Sequence, residues 1–276
     1  MAPSNLVSVI MSTYNAEEWL EKVIYGFAQQ TVSNFEIVVA DDGSRETTKR
    51  LIDNLRIETG LIIQHVWQQD NGFQKCKILN KAIVAAKGDY LIFTDGDCIP
   101  RADFIENHLK FREPGFFLSG GYYKLPLKVS QKITKEDIKS QNCFKISWLA
   151  ANGLRRSAKN LKLVTRGYLS SFLNSVTPTN ASWNGHNSSA WKSDLLAVNG
   201  FDEEMQYGGE DRELGERLFN LGLKSKQIRY NAICIHLDHE RGYVNDAAWE
   251  KNARIRKFTK ENKVVRTPNG IKLELL

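Results

Sequence analysis

Two stretches of the chain end an apolar run on a pair of acids. YLIFTDGDCIP (90–100) leads into Asp95 and Asp97 with only Gly96 between them, and FEIVVADDGS (35–44) leads into Asp41 and Asp42. Carboxylates this close disfavour each other's ionised form unless something positive sits among them. A divalent cation meets that need, because hard cations prefer oxygen ligands. Each stretch also has a local explanation: Asp and Gly commonly turn a chain at a strand end, and Ser44 is placed to cap a helix. Convergence of both stretches on one sheet edge is what separates a binding site from two unrelated turns.

The second half of the chain adds two further groups. In FDEEMQYGGEDRELGERL (201–218), Gly208 and Gly209 precede Glu210 and Asp211, and Leu214, Leu218 and Leu221 follow at helical spacing. Acids in a first helical turn complement the helix dipole. An ionised carboxylate held there, facing a glycine-lined cleft, can also act as a general base. YNAICIHLDH (230–239) then ends an apolar run on His236 and His239, two of only five histidines. Such a pair near a strand end suits metal ligation better than a lone histidine does.

Positioning these groups requires a sheet. LVSVIMS (6–12), FEIVVA (35–40), LIIQHVW (61–67) and YLIF (90–93) are nearly continuous apolar runs, as expected of strands buried on both faces of a parallel sheet. Helical patterns separate them. Trp19, Leu20, Val23, Ile24, Phe27 and Ala28 follow Asn15 and Glu18, which are spaced as a capping box. Leu51, Ile52 and Leu55 lie between Ser44 and Gly60; Ile78, Leu79, Ala82, Ile83 and Ala86 are closed by Gly88. The alternation predicts an α/β fold with a doubly wound, mostly parallel central sheet flanked by helices. The carboxyl ends of such strands share one edge, where α/β folds bind ligands. Asp41, Asp42, Asp95 and Asp97 should therefore gather in one crevice.

Four regions are expected: an α/β half over 1–127, a basic helical insertion over 128–175, a second ordered block over 176–242 and a helical tail over 243–276. Within the tail a charged helix is predicted from Asn245 to Lys263, with a PNG turn at 268–270. At 276 residues, with 42% hydrophobic and 25% charged content, the composition is that of a soluble globular chain. No apolar run approaches the roughly 20 residues that span a bilayer, and the first residues lack the features of a secretion signal. Cys76, Cys98, Cys143 and Cys234 are too scattered for a zinc site or a disulfide framework, so reduced thiols and a cytoplasmic location are expected. The net charge is +6 and unevenly placed. Between Lys128 and Arg166 ten basic residues face only Glu136 and Asp137, which makes that segment +8 and leaves −2 for the rest. Local basicity of this kind argues against nucleic acid as a partner and for one surface that meets an anion.

Taken together, SVIMSTYNAEEWL, VVADDGS and NKAIVAAKGDYLIFTDGDCIP resemble the family 2 glycosyltransferases of the GT-A fold. The block NGHNSSAWKSDLLAVNGFDEEMQYGGEDRELGERL is similar to the acceptor half shared with galactosyltransferase-type enzymes. The likeness covers roughly residues 5–127 and 180–240, in the family's order. It implies an inverting, metal-dependent enzyme that moves one sugar from a nucleotide-sugar, with a UDP-sugar expected, to a hydroxyl of a glycan or lipid-linked acceptor. Bacterial cell-envelope polysaccharide or lipopolysaccharide assembly is the implied setting. Asp42 would bind the base, with Asp41 close by and Thr13 and Tyr14 lining the pocket. Asp95 would contact the ribose or the metal, and Asp97 would ligate Mn²⁺ (or Mg²⁺) together with His236, His239 being the substitute ligand. Gly96 would let the backbone pass close to the sugar. Asp211 would be the base and Glu210 would hold the acceptor sugar beside Gly209. Tyr207 would stack on a sugar ring, and Asn187 would line the donor-sugar side.

The sequence departs from the family pattern at two points. Leu79 stands where relatives often carry a basic residue, so phosphate contacts are expected from Lys75 or Lys77. No Q-x-x-R-W stretch follows the G-E-D block, which favours transfer of a single sugar over processive polymerisation. A nucleotidyltransferase also places carboxylates and a metal on an α/β sheet, but it should carry a Gly-rich loop after the first strand, where this chain has STYNAEEW. A non-catalytic glycan- or nucleotide-binding relative is the other alternative, disfavoured by retention of Asp97, Asp211 and His236 together. For residues 128–166, a solvated basic face competes with docking to an anionic membrane at its inner face. Phe144, Ile146, Trp148 and Leu149, interleaved with Lys145, Arg155 and Arg156, are the residues expected to touch that membrane.

Overall fold

The four apolar runs form the centre of the fold. In the computed structural model, which describes residues 6–155, 157–239 and 246–271, the first half runs β1 (Val7–Thr13), α1 (Glu17–Phe27), β2 (Phe35–Asp41), α2 (Glu46–Thr59), β3 (Ile63–Trp67), α3 (Lys75–Ala85), β4 (Tyr90–Asp95), β5 (Cys98–Pro100), α4 (Phe104–Phe111), β6 (Phe116–Ser119) and β7 (Gly121–Lys124). Short helices follow: α5 (Leu127–Lys132), α6 (Lys135–Lys139), α7 (Ile146–Ala151), α8 (Leu161–Val164) and α9 (Gly167–Val176). The second half adds β8 (Ser188–Trp191), α10 (Lys192–Ala197), α11 (Glu210–Asn220), β9 (Lys224–Gln227), β10 (Ile233–His236) and α12 (Asp246–Glu261).

The large sheet has the order β3-β2-β1-β4-β8-β6-β9. β1 pairs in parallel with both β2 and β4, and β2 with β3, while β8 lies antiparallel between β4 and β6. Register carries the site: it sets Thr13 beside Asp41 and Ser12 beside Asp95 at the carboxyl ends of three adjacent strands. A smaller sheet, β5-β10-β7, sets His236 opposite Cys98 and so next to Asp97. The expected convergence of the two acid pairs on one edge is met.

Two apolar layers hold the sheet. One contains Val23 and Ile24 of α1, Ile52 of α2, Phe104 of α4 and the small sheet; the other contains Ile78 and Ala82 of α3, Leu195 of α10, and Leu214 and Leu218 of α11. The basic insertion shares the first layer through Val129, Ile138, Cys143, Phe144, Leu149 and Leu163. Phe144 and Leu149, expected at a membrane, are thus core residues, and Ile146 and Trp148 are half-buried beside them. The short helices must cover the small sheet, and that demand takes their apolar side chains inward. Arg156 lies outside the described residues.

Several expected helix ends differ. Asn15 and Ser44 do not cap: the Asn15 N–H donates to Ser44 Oγ at 2.8 Å, and Asn15 Oδ1 accepts from the Arg45 N–H at 3.1 Å. Their side chains lace the loops after β1 and β2 together at the crevice, leaving none for the helix starts. Gly60 ends α2 in the left-handed conformation, φ +68°, as read. Gly88 closes no helix. α3 stops at Ala85, and a Cβ on Gly88 would lie 2.6 Å from the Leu6 carbonyl oxygen, so its lack of a side chain lets the chain pass against β1. The tail helix begins at Asp246, and Asn245 lies outside the described residues. Among the described residues no helix is long and apolar enough to cross a membrane.

Candidate active site

The crevice has three parts, each built from a strand end. In the first, Asp42 follows β2 and is nearly buried. Its Oδ1 accepts from Gln68 Nε2 at 2.7 Å and its Oδ2 from the Gln74 N–H at 2.8 Å. Burial, with Asp70 and Asp41 nearby, raises its carboxyl above the ordinary value despite these bonds. Tyr14 is half exposed and donates to Asp70 Oδ2 at 2.9 Å. Thr13 closes the floor with a buried Oγ1 that has no hydrogen-bond partner. Asp41 is elsewhere: fully buried, it accepts from the Ser44 N–H at 2.8 Å and meets His65 Nε2 at 2.8 Å. It shapes the loop and presents nothing to the crevice.

The second part surrounds the Asp95-Gly96-Asp97 turn. Asp95 Oδ1 accepts from Ser12 Oγ at 2.7 Å and from Lys75 Nζ at 2.8 Å. Burial alone would raise this carboxyl, yet the Lys75 ammonium and the Ser12 hydroxyl hold it well below the usual range. Burial acts against the Lys75 ammonium too, but the charges of Asp95, Asp211 and Glu210 raise its pKa well above the ordinary value. No hydrogen bond or ion pair brings Lys77, on the same helix, to the site among the described residues. Gly96 has a backbone reason for its identity: a Cβ there would lie 2.9 Å from the Ser12 carbonyl oxygen, which accepts the Gly96 N–H at 2.8 Å. Clearance for β1 is what the structure shows at that position.

Asp97 faces the two histidines. Its Oδ2 lies 2.9 Å from His239 Nε2 and 3.7 Å from His236 Nε2, and the imidazoles are stacked with an interplanar angle of 7°. Nδ1 of His236 donates to the Leu237 carbonyl at 2.8 Å, which leaves Nε2 as the ring nitrogen facing Asp97. Donor atoms of Asp97, Cys98 and His236 all lie within 4.8 Å of one another. Cys98 is fully buried, and burial pushes its thiol up, which leaves carboxylate oxygen and imidazole nitrogen as the natural ligands. That donor set fits Mn²⁺, or Mg²⁺ with more water. A third histidine, His186, packs edge-on against Tyr122 at 4.4 Å, and burial lowers its pKa to about 4, so it is neutral.

The third part is the start of α11. Gly208 and Gly209 have φ of +113° and +94°, a turn that only glycine makes without strain. Glu210 is buried and folds back so that Oε2 accepts the Gly208 N–H at 2.8 Å. Asp211 projects toward Gly185, where a Cβ would lie 2.8 Å from its Oδ2. Its Oδ1 is buried with no hydrogen-bond partner, and burial together with the Glu210 charge raises its pKa to about 7. A carboxylate with an unused acceptor oxygen and a pKa near neutrality is equipped to take a proton. Tyr207 sits edge-on between Phe73 at 6.0 Å and Trp249 at 6.1 Å.

Asn187, expected beside the donor sugar, is not brought to the crevice. It is fully buried. Its Nδ2 donates to the carbonyls of Gly121 and Ala232, and its Oδ1 lies 2.9 Å from His108 Nε2. With every polar atom engaged it ties the two sheets together.

Sequence reasoning missed Ser12, Gln68, Asp70, His186, Trp249 and Asn252. Gln68 and Asp70 follow the third apolar run, so the strand-end rule could have found them. Trp249 and Asn252 carried no signal, since α12 reads as a charged helix. Yet the Trp249 indole packs directly on the Gly208 backbone, and Asn252 Nδ2 donates to the carbonyls of Gln206 and Gly208 at 2.9 Å. α12 thus braces the glycine turn that presents Asp211.

With this geometry in hand, comparison with known proteins is informative. Residues 8–125 match the family described as glycosyl transferase family 2, and residues 174–240 match the N-terminal domain of galactosyltransferase. An uncharacterized glycosyltransferase, YfnE, of Bacillus subtilis is 26% identical over 84% of this chain and 64% of its own length. Chondroitin synthase of Escherichia coli is 26% identical over 80% of this chain, which spans only 33% of that protein. Among solved structures, S. aureus TarS 1–349 in complex with UDP-GlcNAc superposes with a TM-score of 0.62 at 16% identity, covering 94% of this chain and 70% of that 1–349 chain. The mannosyltransferase PcManGT of Pyrobaculum calidifontis, in complex with GDP-Man and Mn²⁺, gives 0.58 at 19% identity, covering 93% and 62%. The likeness establishes the GT-A fold. Both parts of the chain that build the crevice lie within the matched segments, so a glycosyl transferase family 2 segment and a galactosyltransferase-type segment together line it.

Proposed function

We propose that this chain transfers a single sugar from a UDP-sugar to a hydroxyl of a glycan or lipid-linked acceptor, with inversion at the anomeric carbon. The observation that carries this reading is the orphaned Oδ1 of Asp211 in the wall of the crevice that also holds Asp95, Asp97 and the two histidines. In the proposed reaction Asp42 accepts the N–H of the base, while Thr13, Tyr14 and Asp70 frame the ring. Lys75, the ammonium beside Asp95, turns to a phosphate oxygen of the donor. Asp211 takes the proton of the acceptor hydroxyl as that oxygen bonds to the anomeric carbon. The bond from that carbon to the diphosphate breaks on the opposite face, and its electron pair leaves with the nucleotide. Glu210 orients the turn, and Tyr207 with Trp249 lines the acceptor side.

Asp97, His236 and His239 would hold a divalent ion, Mn²⁺ by preference, which when bound supplies positive charge beside the diphosphate. PcManGT, with its GDP-Man and Mn²⁺, and TarS, with its UDP-GlcNAc, support such a donor in this fold. Uridine is the base that the resemblance of the Asp41–Ser44 stretch to the family implies, with Asp42 as its acceptor. Envelope or capsular polysaccharide assembly is the proposed setting, supported by the E. coli chondroitin synthase likeness. Nucleotide release from a panel of sugar nucleotides, with Mn²⁺, Mg²⁺ or EDTA, tests the proposal without knowledge of the acceptor. Metal-dependent turnover of one donor, lost in Asp97→Ala and in Asp211→Asn, is expected. A crevice that neither turns over nor binds any of them with metal refutes it.

A further inference from the structure

Helix α9 is amphipathic the wrong way round for a helix on a soluble surface. Its inward positions are polar. Ser170 is fully buried, Asn174 exchanges hydrogen bonds with Asn231 and with the Tyr230 N–H, and Thr177, just past the helix end, meets the Tyr230 hydroxyl. Large apolar side chains stand outward: Tyr168 is 97% exposed, Phe172 59%, Leu169 55% and Val176 54%, with the exposed Ser171 and Ser175 the polar residues among them. The spacing 168, 169, 172, 176 puts these four on one side of the helix, opposite 170, 174 and 177. Leu161 and Val164 of the preceding α8 are exposed as well. A soluble helix buries its apolar stripe; this one offers it.

Charge along this segment of the chain has one sign. From 138 to 193, a run of 56 residues, the chain contains no Asp or Glu and eight Lys or Arg. Arg166 is exposed at the residue before α9. Lys159, Lys162 and Arg229 stand close enough that, after burial, the charges of Arg229 and Lys159 are what lower the Lys162 pKa. Cations held near each other without an acid are a site for an anion. Apolar side chains framed by cations match an interface where acyl chains lie beneath anionic headgroups. A protein partner would need acids to answer the same cations, but nothing in such a partner requires six exposed apolar groups ringed by them.

We infer that α8 and α9 form a peripheral membrane anchor, in which Leu161, Val164, Tyr168, Leu169, Phe172 and Val176 enter the headgroup region of an anionic bilayer and Lys159, Lys162, Arg166 and Arg229 bind its headgroups. The inference does not depend on the sugar-transfer reading. It moves the contact from the residues expected in the sequence to a segment that follows them.

Co-sedimentation with phosphatidylcholine vesicles, with or without phosphatidylglycerol, tests it on the whole chain. Binding is expected to phosphatidylglycerol vesicles, to fall as salt rises, and to be lost in Leu169→Ser/Phe172→Ser. Replacing Lys159, Lys162 and Arg166 by Gln should weaken partition roughly a hundredfold, on the basis of about fivefold per surface cation. All the replaced side chains but that of Lys162 are exposed, and circular dichroism confirms that the variants are folded. Equal binding to neutral vesicles, no binding at all, or unchanged binding by either variant overturns the inference. So does a parent dimer that Phe172→Ser converts to monomer without any vesicle binding, which makes the face a contact between copies of this chain. Vesicle binding and nucleotide release are read separately, so failure of one is not failure of the other.

Discussion

Lys75 Nζ lies 2.8 Å from Asp95 Oδ1, and the same ammonium is surrounded by the charges of Asp211 and Glu210. One lysine thus balances carboxylates from β4 and from α11. Asp95 is neutralised by the chain itself, whereas Asp97 faces His236 and His239.

Replacing this lysine removes a cation that lowers the Asp211 pKa. In Lys75→Met that pKa should rise, so the acidic limb of the rate profile should move to higher pH. The KM for the sugar nucleotide should rise about tenfold or more, the loss of one charge-assisted contact. pH profiles of nucleotide release for parent and variant check both. An acidic limb that stays in place would show that Lys75 does not couple to the base.

A carboxylate can take a proton only when ionised, and for Asp211 in the proposed role of base a pKa of about 7 sets the window. Turnover should fall about tenfold per pH unit below that value and level off above it. In Asp211→Asn, turnover should fall roughly 10²–10⁴-fold, the usual worth of general-base catalysis. Donor affinity, read by calorimetry, should stay within a few-fold of the parent.

Metal affinity separates the two histidines from the rest of the site. His236→Ala and His239→Ala should each weaken Mn²⁺ binding by roughly 10–100-fold, as loss of a ligand or of its support does. Electron paramagnetic resonance of Mn²⁺ titrations, with and without UDP, reads this directly. An unchanged affinity in His239→Ala would leave His236 as the single imidazole ligand.

Trp249 borders Gly208 and Tyr207 and is 47% exposed at the rim of the cleft. In Trp249→Ala, donor hydrolysis without acceptor should stay within about twofold of the parent. The acceptor KM should rise about fivefold, in keeping with roughly 1 kcal/mol for an aromatic contact. Steady-state kinetics with and without acceptor distinguish this from general damage, which would lower both.

Glu213 and Arg217 form a fully buried pair on α11. Glu213 also accepts from Thr259 Oγ1 of α12 at 2.9 Å, and Arg217 also donates to the Val198 carbonyl. Arg217→Met leaves a buried charge unpaired and should cost about 3–5 kcal/mol in urea unfolding. Glu213→Met/Arg217→Met removes both charges and should recover much of that loss. A double variant no more stable than the single would show that the bonds to Thr259 and Val198 matter more than the pair.

The sequence by itself determined the α/β alternation, the parallel core strands and the placing of Asp42, Asp95, Asp97 and Asp211 at element ends. Strand-end position follows from local apolar periodicity, and a parallel sheet brings those ends to one edge whatever else the chain does. Tertiary structure alone decided which polar atoms remain free. Asn187 and Asp41 look like site residues in a motif, yet Asn187 spends its hydrogen bonds on buried partners far along the chain, and Asp41 spends its own on the Ser44 N–H and on His65. Trp249 and Asn252 look like an ordinary charged helix, yet they brace the turn before Asp211 across some forty residues of sequence, with Asn252 held to Gln206 at |i−j| = 46. The insertion shows the same limit. Composition reveals that residues 138–193 are basic, but only packing against the small sheet decides that Phe144 turns inward and Phe172 outward. Satisfaction of buried polar groups and the division of apolar side chains between core and surface are properties of the assembled chain, and no local window contains them.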